Sequence, residues 1–335
     1  MSDVIVLSTT NLNAEQLRGI SAISPRVRMQ QIFCRESSEV AGLLPDVEVL
    51  LTQHGEFALD RADRLRWVQM QYAGVDHLAG QPLLSAPVVI TTSSGIHVTP
   101  IAEFVVGQMV ILSRKLPLAA RLQRGHSWPD HPWRTLMGRE LRGETMGILG
   151  YGSIGREVGR LAQSLGMRVI ALSASGRRRD EGYRLEGTGD AEGQIPAEWY
   201  EPAQLHGFLA PCGFVVVATP LTPLTRGLIG SEALRAMRRD AYLLNIARGE
   251  VVQEKALIAA LREGQIAGAA LDVFEHEPLP ADHPFYELDN VIITPHMAAM
   301  TPNYNQRLTE LFGENLQRYL AGERLLNVVD TRRGY

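Results

Sequence analysis

The stretch Met146-Gly147-Ile148-Leu149-Gly150-Tyr151-Gly152-Ser153-Ile154-Gly155 decides how this chain is read. Residues 146–149 form an apolar run that reads as a strand, and residues 153–165 carry a helical pattern. Gly-x-Gly-x-x-Gly alone is a weak signal. Set between a strand and a helix it marks a loop that binds a dinucleotide. Gly150 permits the tight turn, Gly152 lets the backbone approach the pyrophosphate, and Gly155 lets helix and strand pack closely. The N–H groups of Ser153 and Ile154 lie at the positive end of the helix dipole, where phosphates bind.

Outward from this loop the pattern repeats. Residues 168–173, 214–219, 241–246, 268–272 and 291–294 read as strands, and 231–237, 254–263 and 304–321 as helices. On the N-terminal side, residues 4–7, 47–52, 66–70 and 88–92 read as strands and 14–20 as a short helix. Strands alternating with helices predict parallel sheets in an α/β fold. Residues 99–124 read as one long helix, with Thr99 as N-cap, Pro100 at the first helical position and Gly125 as the glycine cap. The following segment, with Trp128, Pro129, Pro132 and Trp133, is excluded from regular helix. Its two tryptophans serve either packing or contact with another subunit or a substrate. The polar stretch from Ser173 to Phe214 exceeds ordinary loop lengths, so it is either functional or mobile.

Bulk composition narrows the classes. With 335 residues, 45% of them hydrophobic, the chain is long enough for about two domains. A net charge of −4 gives no basic surface for nucleic acid and no polybasic arm for a membrane. No apolar run approaches the roughly 20 residues of a membrane span. The only two cysteines, Cys34 and Cys212, stand far apart and in no metal-ligand spacing. A disulfide framework and a metal site are therefore not expected, and a reducing cytoplasm fits.

The residue that grips the adenosine ribose stands about 20 positions beyond the glycine loop. Here the strand runs out as Val169-Ile170-Ala171-Leu172-Ser173-Ala174-Ser175-Gly176-Arg177. No acid occupies the place where a carboxylate would bond the 2′-hydroxyl and repel a 2′-phosphate. The hydroxyls of Ser173 and Ser175 and the Arg177 guanidinium welcome a phosphate. NADP is expected over NAD.

Three strand ends carry polar residues that a core would not choose. Arg248, in Asn245-Ile246-Ala247-Arg248-Gly249, follows an apolar strand and can hold a carboxylate in a fork while polarising a carbonyl. Asp272 ends the next strand, in Leu271-Asp272-Val273-Phe274-Glu275-His276-Glu277-Pro278. His296, in Thr294-Pro295-His296-Met297-Ala298, follows a third strand and is a general acid/base candidate. Glu277 bonded to the imidazole would orient it and fix its tautomer.

At these residues the chain resembles the NAD(P)-dependent D-2-hydroxyacid dehydrogenase family, including its hydroxypyruvate and glyoxylate reductases. The stretches that carry the resemblance are Tyr72-Ala73-Gly74-Val75-Asp76-His77-Leu78, residues 143–155, Thr219-Pro220-Leu221-Thr222-Pro223-Leu224-Thr225, and the three strand ends. The resemblance implies that Arg248, Glu277 and His296 form the catalytic set. It implies that Ala73, Gly74 and Val75 offer backbone N–H groups to the substrate carboxylate, alongside Arg248. Asp272 would help hold the nicotinamide end, and Thr219, Pro220, Thr225, Ile246, Ala247 and Ala298 would line the cofactor. The implied fold is two doubly wound parallel-sheet domains with a cleft between them. Residues 1–96 plus 297–335 would make a flavodoxin-like substrate domain and residues 97–296 a Rossmann cofactor domain, with the long helix contributing to a homodimer.

The implied reaction transfers a hydride between NAD(P)H and a small 2-keto acid, His296 exchanging the proton. Two other readings are open. One is a formate- or phosphite-type dehydrogenase of the same superfamily, although formate enzymes carry an amide where Glu277 stands. The other is a non-catalytic, cofactor-sensing corepressor-like binding protein built on the same fold.

Overall fold

The apolar runs form two parallel sheets in the computed structural model, which describes residues 2–57, 59–174, 176 and 179–331. The chain divides into two units. One comprises Met1–Ile96, Glu181–Leu185 and Thr301–Tyr335, the other His97–Asp180 and Glu186–Met300.

In the first unit the strands β1 (Val4–Ser8), β2 (Val27–Gln31), β3 (Val49–Thr52), β4 (Trp67–Met70) and β5 (Val89–Thr91) lie in the order β2-β1-β3-β4-β5. All four pairings are parallel, which is the flavodoxin-like arrangement. Successive residues of β3 feed two different cores, Val49 and Leu51 one and Leu50 the other, as the two-residue period of a strand requires. The helix Tyr304–Ala321 covers the first of these cores with Leu308, Leu311, Phe312 and Leu316, all fully buried. Their spacing keeps them on one helical face, and each contributes about 1.5–3 kcal/mol by leaving water. The Trp67 ring stacks on Phe312 at 5.1 Å and on Tyr319 at 5.7 Å. Gly322, at φ 73°, ends the helix in the left-handed region.

In the second unit β6 (Thr145–Leu149), β7 (Arg168–Leu172), β8 (Glu198–Tyr200), β9 (Phe214–Val217), β10 (Tyr242–Asn245), β11 (Gly268–Leu271) and β12 (Val291–Ile293) lie in the order β12-β11-β10-β9-β6-β7-β8. This is the doubly wound dinucleotide-binding order, with its reversal between β6 and β9. Phe214 and Val216 pack toward the helices Val98–Ser113 and Ser153–Ser164. Val215 and Val217 pack toward Leu205–Leu209, Ser231–Ala236 and Glu254–Arg262.

Three sequence expectations are corrected. The single helix over 99–124 is two helices, Val98–Ser113 and Leu116–Arg124, with Lys115 between them at φ 53°. Pro117 is the cause: it has no N–H to offer the Ser113 carbonyl one turn back, and that carbonyl instead accepts from the Arg139 N–H at 3.0 Å. The first helix begins after His97 rather than Thr99, and beyond Gly125 it is His126 that takes the left-handed conformation, at φ 48°. A short turn of helix, Pro132–Thr135, sits inside the segment read as irregular. Strands β2 and β8 are additional, and both lie at sheet edges.

The described part of the polar stretch is packed rather than loose. Asp180 N–H donates to the Ala191 carbonyl at 2.8 Å, and Asp190 is buried. Within the first unit, Tyr183 N–H donates to Asn327 Oδ1 at 3.0 Å. Cys34 and Cys212 are both buried and unpaired. Burial pushes both thiols up, Cys212 to about 12. Among the described residues no helix is long and apolar enough to cross a membrane.

Candidate active site

Strands β10, β11 and β12 are neighbours whose carboxyl ends lie in register, Asn245 beside Leu271 and Leu271 beside Ile293. Arg248, Glu277 and His296 emerge just beyond these ends, the side of a parallel sheet where ligands bind. His296 Nδ1 lies 2.7 Å from Glu277 Oε2. The other carboxylate oxygen accepts from the Phe274 N–H at 3.0 Å, so Glu277 is held before it holds the imidazole. With Nδ1 committed, Nε2 is the nitrogen left to meet a substrate. Half of the His296 side chain is exposed.

His296 sits at φ 50°, a conformation that a residue with a Cβ adopts only when its surroundings impose it. Asp272 imposes it. This carboxylate is buried and accepts from Thr294 Oγ1 at 2.6 Å, Met297 N–H at 3.0 Å and Ala298 N–H at 2.9 Å. Its carbonyl accepts from the His296 N–H at 2.9 Å. Both carboxylate oxygens therefore clasp the turn that carries His296.

Arg248 is half-buried and extended, its Nη1 donating to the Ala247 carbonyl at 2.8 Å. Asn245, buried at the end of an apolar strand, brackets it. The Asn245 Nδ2 donates to the Arg248 carbonyl at 3.0 Å, and its Oδ1 accepts from the Ala247 N–H at 3.2 Å. Gly249 then lies against the peptide joining Phe274 to Glu275. A Cβ on Gly249 would stand 1.9 Å from the Phe274 carbonyl carbon. Only a glycine lets the Arg248 loop touch the segment leading to Glu277.

The glycine loop follows β6. Gly150, at φ 99°, backs onto the segment after β9, where a Cβ would come within 2.7 Å of the Ala218 carbonyl and the Thr219 nitrogen. A Cβ on Gly155 would come within 2.4 Å of the Gly150 carbonyl. Gly152 differs: its φ is ordinary, and a Cβ there would face open space. The fold requires the first and third glycines, whereas the second keeps a space clear at a helix N-terminus that has no side-chain cap. Those features fit a pyrophosphate.

Ser153, Ile154, Ser173, Thr219 and Ile246 are half-buried around the carboxyl ends of β6, β7, β9 and β10. Ala247 and Ala298 are buried, and Pro220 is exposed. Thr225 Oγ1 donates to the Pro220 carbonyl at 2.7 Å and ties that turn. Ser175 and Arg177 lie outside the described residues. Asn245, Gly249 and Thr294 have no place in the sequence-based assignment. The signals were an asparagine ending an otherwise apolar strand and a glycine directly after the arginine.

In the first unit, Ala73, Gly74 and Val75 follow β4. The Tyr304 hydroxyl donates to the Gln71 carbonyl at 2.8 Å, and the Ser93 N–H to the Tyr72 carbonyl at 3.1 Å. Among the described residues no group accepts from the N–H groups of Ala73, Gly74 or Val75. The Tyr72 hydroxyl, half-exposed beside them, donates to Gln53 Oε1 at 3.1 Å. Among the described residues no group of three or more His, Cys, Asp or Glu side chains could hold a metal ion.

Residues 106–298 match the family model described as D-isomer specific 2-hydroxyacid dehydrogenase, NAD binding domain. The chain is 37% identical over 267 residues to a glyoxylate reductase of Thermofilum pendens, covering 79% of this chain and 75% of that protein. Among solved structures it is similar to a D-isomer specific 2-hydroxyacid dehydrogenase from Xanthobacter autotrophicus in complex with NADPH and MES, at 31% identity and TM-score 0.79 over the full length of both chains. It is also similar to an NADPH-dependent glyoxylate/hydroxypyruvate reductase from Sinorhizobium meliloti in complex with NADP and sulfate, at 28% identity and TM-score 0.77, again over both full lengths.

Proposed function

The chain belongs to the D-isomer specific 2-hydroxyacid dehydrogenase family, and from that premise we propose that Arg248, Glu277 and His296 reduce a small 2-keto acid such as glyoxylate or hydroxypyruvate. The observation that carries this reading is the 2.7 Å bond from His296 Nδ1 to Glu277 Oε2. It leaves Nε2 to give a proton to the oxygen as the carbonyl becomes an alcohol, so that full negative charge never builds there. Arg248 polarises the same oxygen with a fixed positive charge. The backbone N–H groups of Ala73, Gly74 and Val75 are assigned to the substrate carboxylate. The dinucleotide, when bound, supplies the hydride. The backbone of Gly152, Ser153 and Ile154 would hold its pyrophosphate, with Thr219, Pro220, Thr225, Ile246, Ala247 and Ala298 beside it and Asp272 near the nicotinamide end.

The coenzyme we assign is NADP. Ser173 supports this, because it directly follows β7 at the place where a carboxylate would repel a 2′-phosphate. The Xanthobacter and Sinorhizobium proteins hold NADPH and NADP in their structures. Initial rates with glyoxylate, hydroxypyruvate and bulkier 2-keto acids, each with NADPH and with NADH, test both parts. The expected result is turnover on the small acids, with kcat/KM higher for NADPH by about tenfold or more, one tenfold step being about 1.4 kcal/mol. Turnover with NADH as the better coenzyme would refute the NADP assignment, and no turnover on any acid would refute the substrate class.

We further assign the protein to a homodimer in the cytoplasm. The second unit exposes Leu116, Trp128, Trp133 and Met137 within one segment, the two tryptophans to 88% and 60%. Apolar side chains so exposed suit a second copy of this chain. The two unpaired buried thiols fit a reducing compartment. Light scattering coupled to gel filtration is expected to give twice the 37.0 kDa chain mass. A monomer at micromolar concentration would refute the dimer, and recovery outside the cytoplasmic fraction would refute the location.

A further inference from the structure

The loop after β7 makes a buried connection to the glycine loop. Tyr151, between Gly150 and Gly152, turns its ring inward and is buried, edge-on to Trp199 at 5.2 Å. It lies against Gly159, where a Cβ would come 2.8 Å from the hydroxyl. That hydroxyl donates to Asp190 Oδ2 at 3.0 Å. Asp190 also accepts from the Gln194 N–H at 2.9 Å and the Ile195 N–H at 3.0 Å, so both of its carboxylate oxygens are held by donors. Its carbonyl accepts from Arg156 Nη1 at 2.6 Å.

Arg156 and Glu157 stand in the first part of the helix Ser153–Ser164, and both are buried. The Arg156 guanidinium lies 5.2 Å from the Tyr151 ring centre. Glu157 accepts from the Gly189 N–H at 2.6 Å and takes both arms of Arg160, at 2.8 and 2.6 Å. Charges taken out of water persist only when their bonding capacity is met. Here Arg160 meets part of it for Glu157, and the backbone of Gly189 and Asp190, remote in sequence from the helix, bonds to Glu157 and Arg156.

The same clamp bounds the segment that reads the adenosine ribose. At one end the Ser173 N–H donates to the Tyr200 carbonyl at 3.0 Å. At the other the Asp180 N–H donates to the Ala191 carbonyl at 2.8 Å, next to Asp190. Asp180 Oδ2 lies 4.0 Å from Arg156 Nε.

We propose that Asp190 is a positioning residue for the dinucleotide: through the Tyr151 hydroxyl and Arg156 it sets the pyrophosphate loop, and the Asp180–Ala191 bond beside it fixes Asp180 near Arg156. It touches no part of the coenzyme. The proposal rests on the dinucleotide reading above and adds a residue that the glycine motif does not contain. Its consequence is specific: losing the carboxylate weakens the coenzyme and spares the proton chemistry at His296, which stands on other strands.

The test titrates NADPH into the full-length protein, by the fluorescence of the bound nicotinamide, for the unaltered chain, Asp190→Asn and Tyr151→Phe. An amide at 190 turns a donor toward one of three donors. The expected result for Asp190→Asn is a rise in Kd and in KM for NADPH of about tenfold, the scale of one charged hydrogen bond. The kcat at saturating NADPH and the KM for the keto acid are expected to stay unchanged. Tyr151→Phe removes a single hydroxyl without altering the packing, and is expected to shift Kd in the same direction by a smaller factor. It carries the test alone if Asp190→Asn does not fold. A lower melting temperature with unchanged Kd in the folded variants would overturn the proposal, because that is the mark of a purely structural network. Failure of the unaltered protein to bind NADPH or NADH would sink the dinucleotide reading itself, and this proposal with it.

Discussion

Replacing His296 by asparagine is expected to lower kcat by about 100- to 10,000-fold, the range associated with losing a positioned general acid, while the Kd for NADPH stays unchanged. Asparagine is the informative substitution because of the backbone. His296 occupies φ 50°, and asparagine tolerates that region better than other residues with a side chain. Alanine would add a conformational cost to the loss of the imidazole and mix the two effects. The Asp272 carboxylate grips the turn through Thr294 Oγ1 and the N–H groups of Met297 and Ala298, none of which belongs to the imidazole. The turn should therefore survive the substitution. Single-turnover reduction followed at 340 nm separates the chemical step from release. A variant that retains near-full turnover would remove His296 from the proton step and leave the His296–Glu277 bond as ordinary surface pairing.

Gly249→Ala is expected to lower kcat/KM for the keto acid by about 100-fold, the cost associated with a 1 Å misplacement of a reacting group. The methyl group would start 1.9 Å from the Phe274 carbonyl carbon and 2.3 Å from the Glu275 nitrogen. Both are backbone atoms, so no side chain can swing aside, and the two loops must separate. One loop carries Arg248 and the other leads to Glu277. The overpacking is expected to cost about 1–3 kcal/mol of stability as well, read as a lower melting temperature. A folded variant with kcat/KM unchanged within experimental error would show that the spacing of Arg248 and Glu277 does not limit the reaction.

The interior strands were legible in the sequence because a parallel sheet covered on both faces needs unbroken apolar runs. Residues 214–217 and 241–244 are such runs. Strands β2 and β8 were not legible, for a related reason. Each lies at a sheet edge with one side toward solvent, so Val27-Arg28-Met29-Gln30-Gln31 and Glu198-Trp199-Tyr200 carry polar residues that blur the pattern. The break at Lys115 was present in the sequence as Pro117, whose missing N–H outweighs a helical pattern that continues on both sides.

At the candidate site, Arg248, Asp272 and His296 stood out because polar residues just after apolar strands have little structural reason to be there, and Glu277 followed as the carboxylate to orient the imidazole. The residues that hold them did not stand out. Asn245, Thr294 and Gly249 act through contacts with segments remote along the chain, and no local spacing encodes those contacts. Asp190 is the extreme case. It sits in a polar stretch whose composition suits a solvated loop, and its burial follows only from the meeting of that loop with Tyr151 and Arg156.

The stacking of Trp67 on Phe312 has a consequence for the order of events during synthesis. Phe312 leaves the ribosome 245 residues after Trp67 (312 − 67), a delay of roughly 10–50 s at the usual pace of translation. Residues 97–300 emerge within that interval and can fold first. The newborn N-terminal sheet meanwhile waits with Trp67, Val49 and Leu51 uncovered, because the helix Tyr304–Ala321 that closes their core does not yet exist. This sheet is therefore made before the second unit and finished after it, and it is the part that a nascent-chain chaperone would have to shelter.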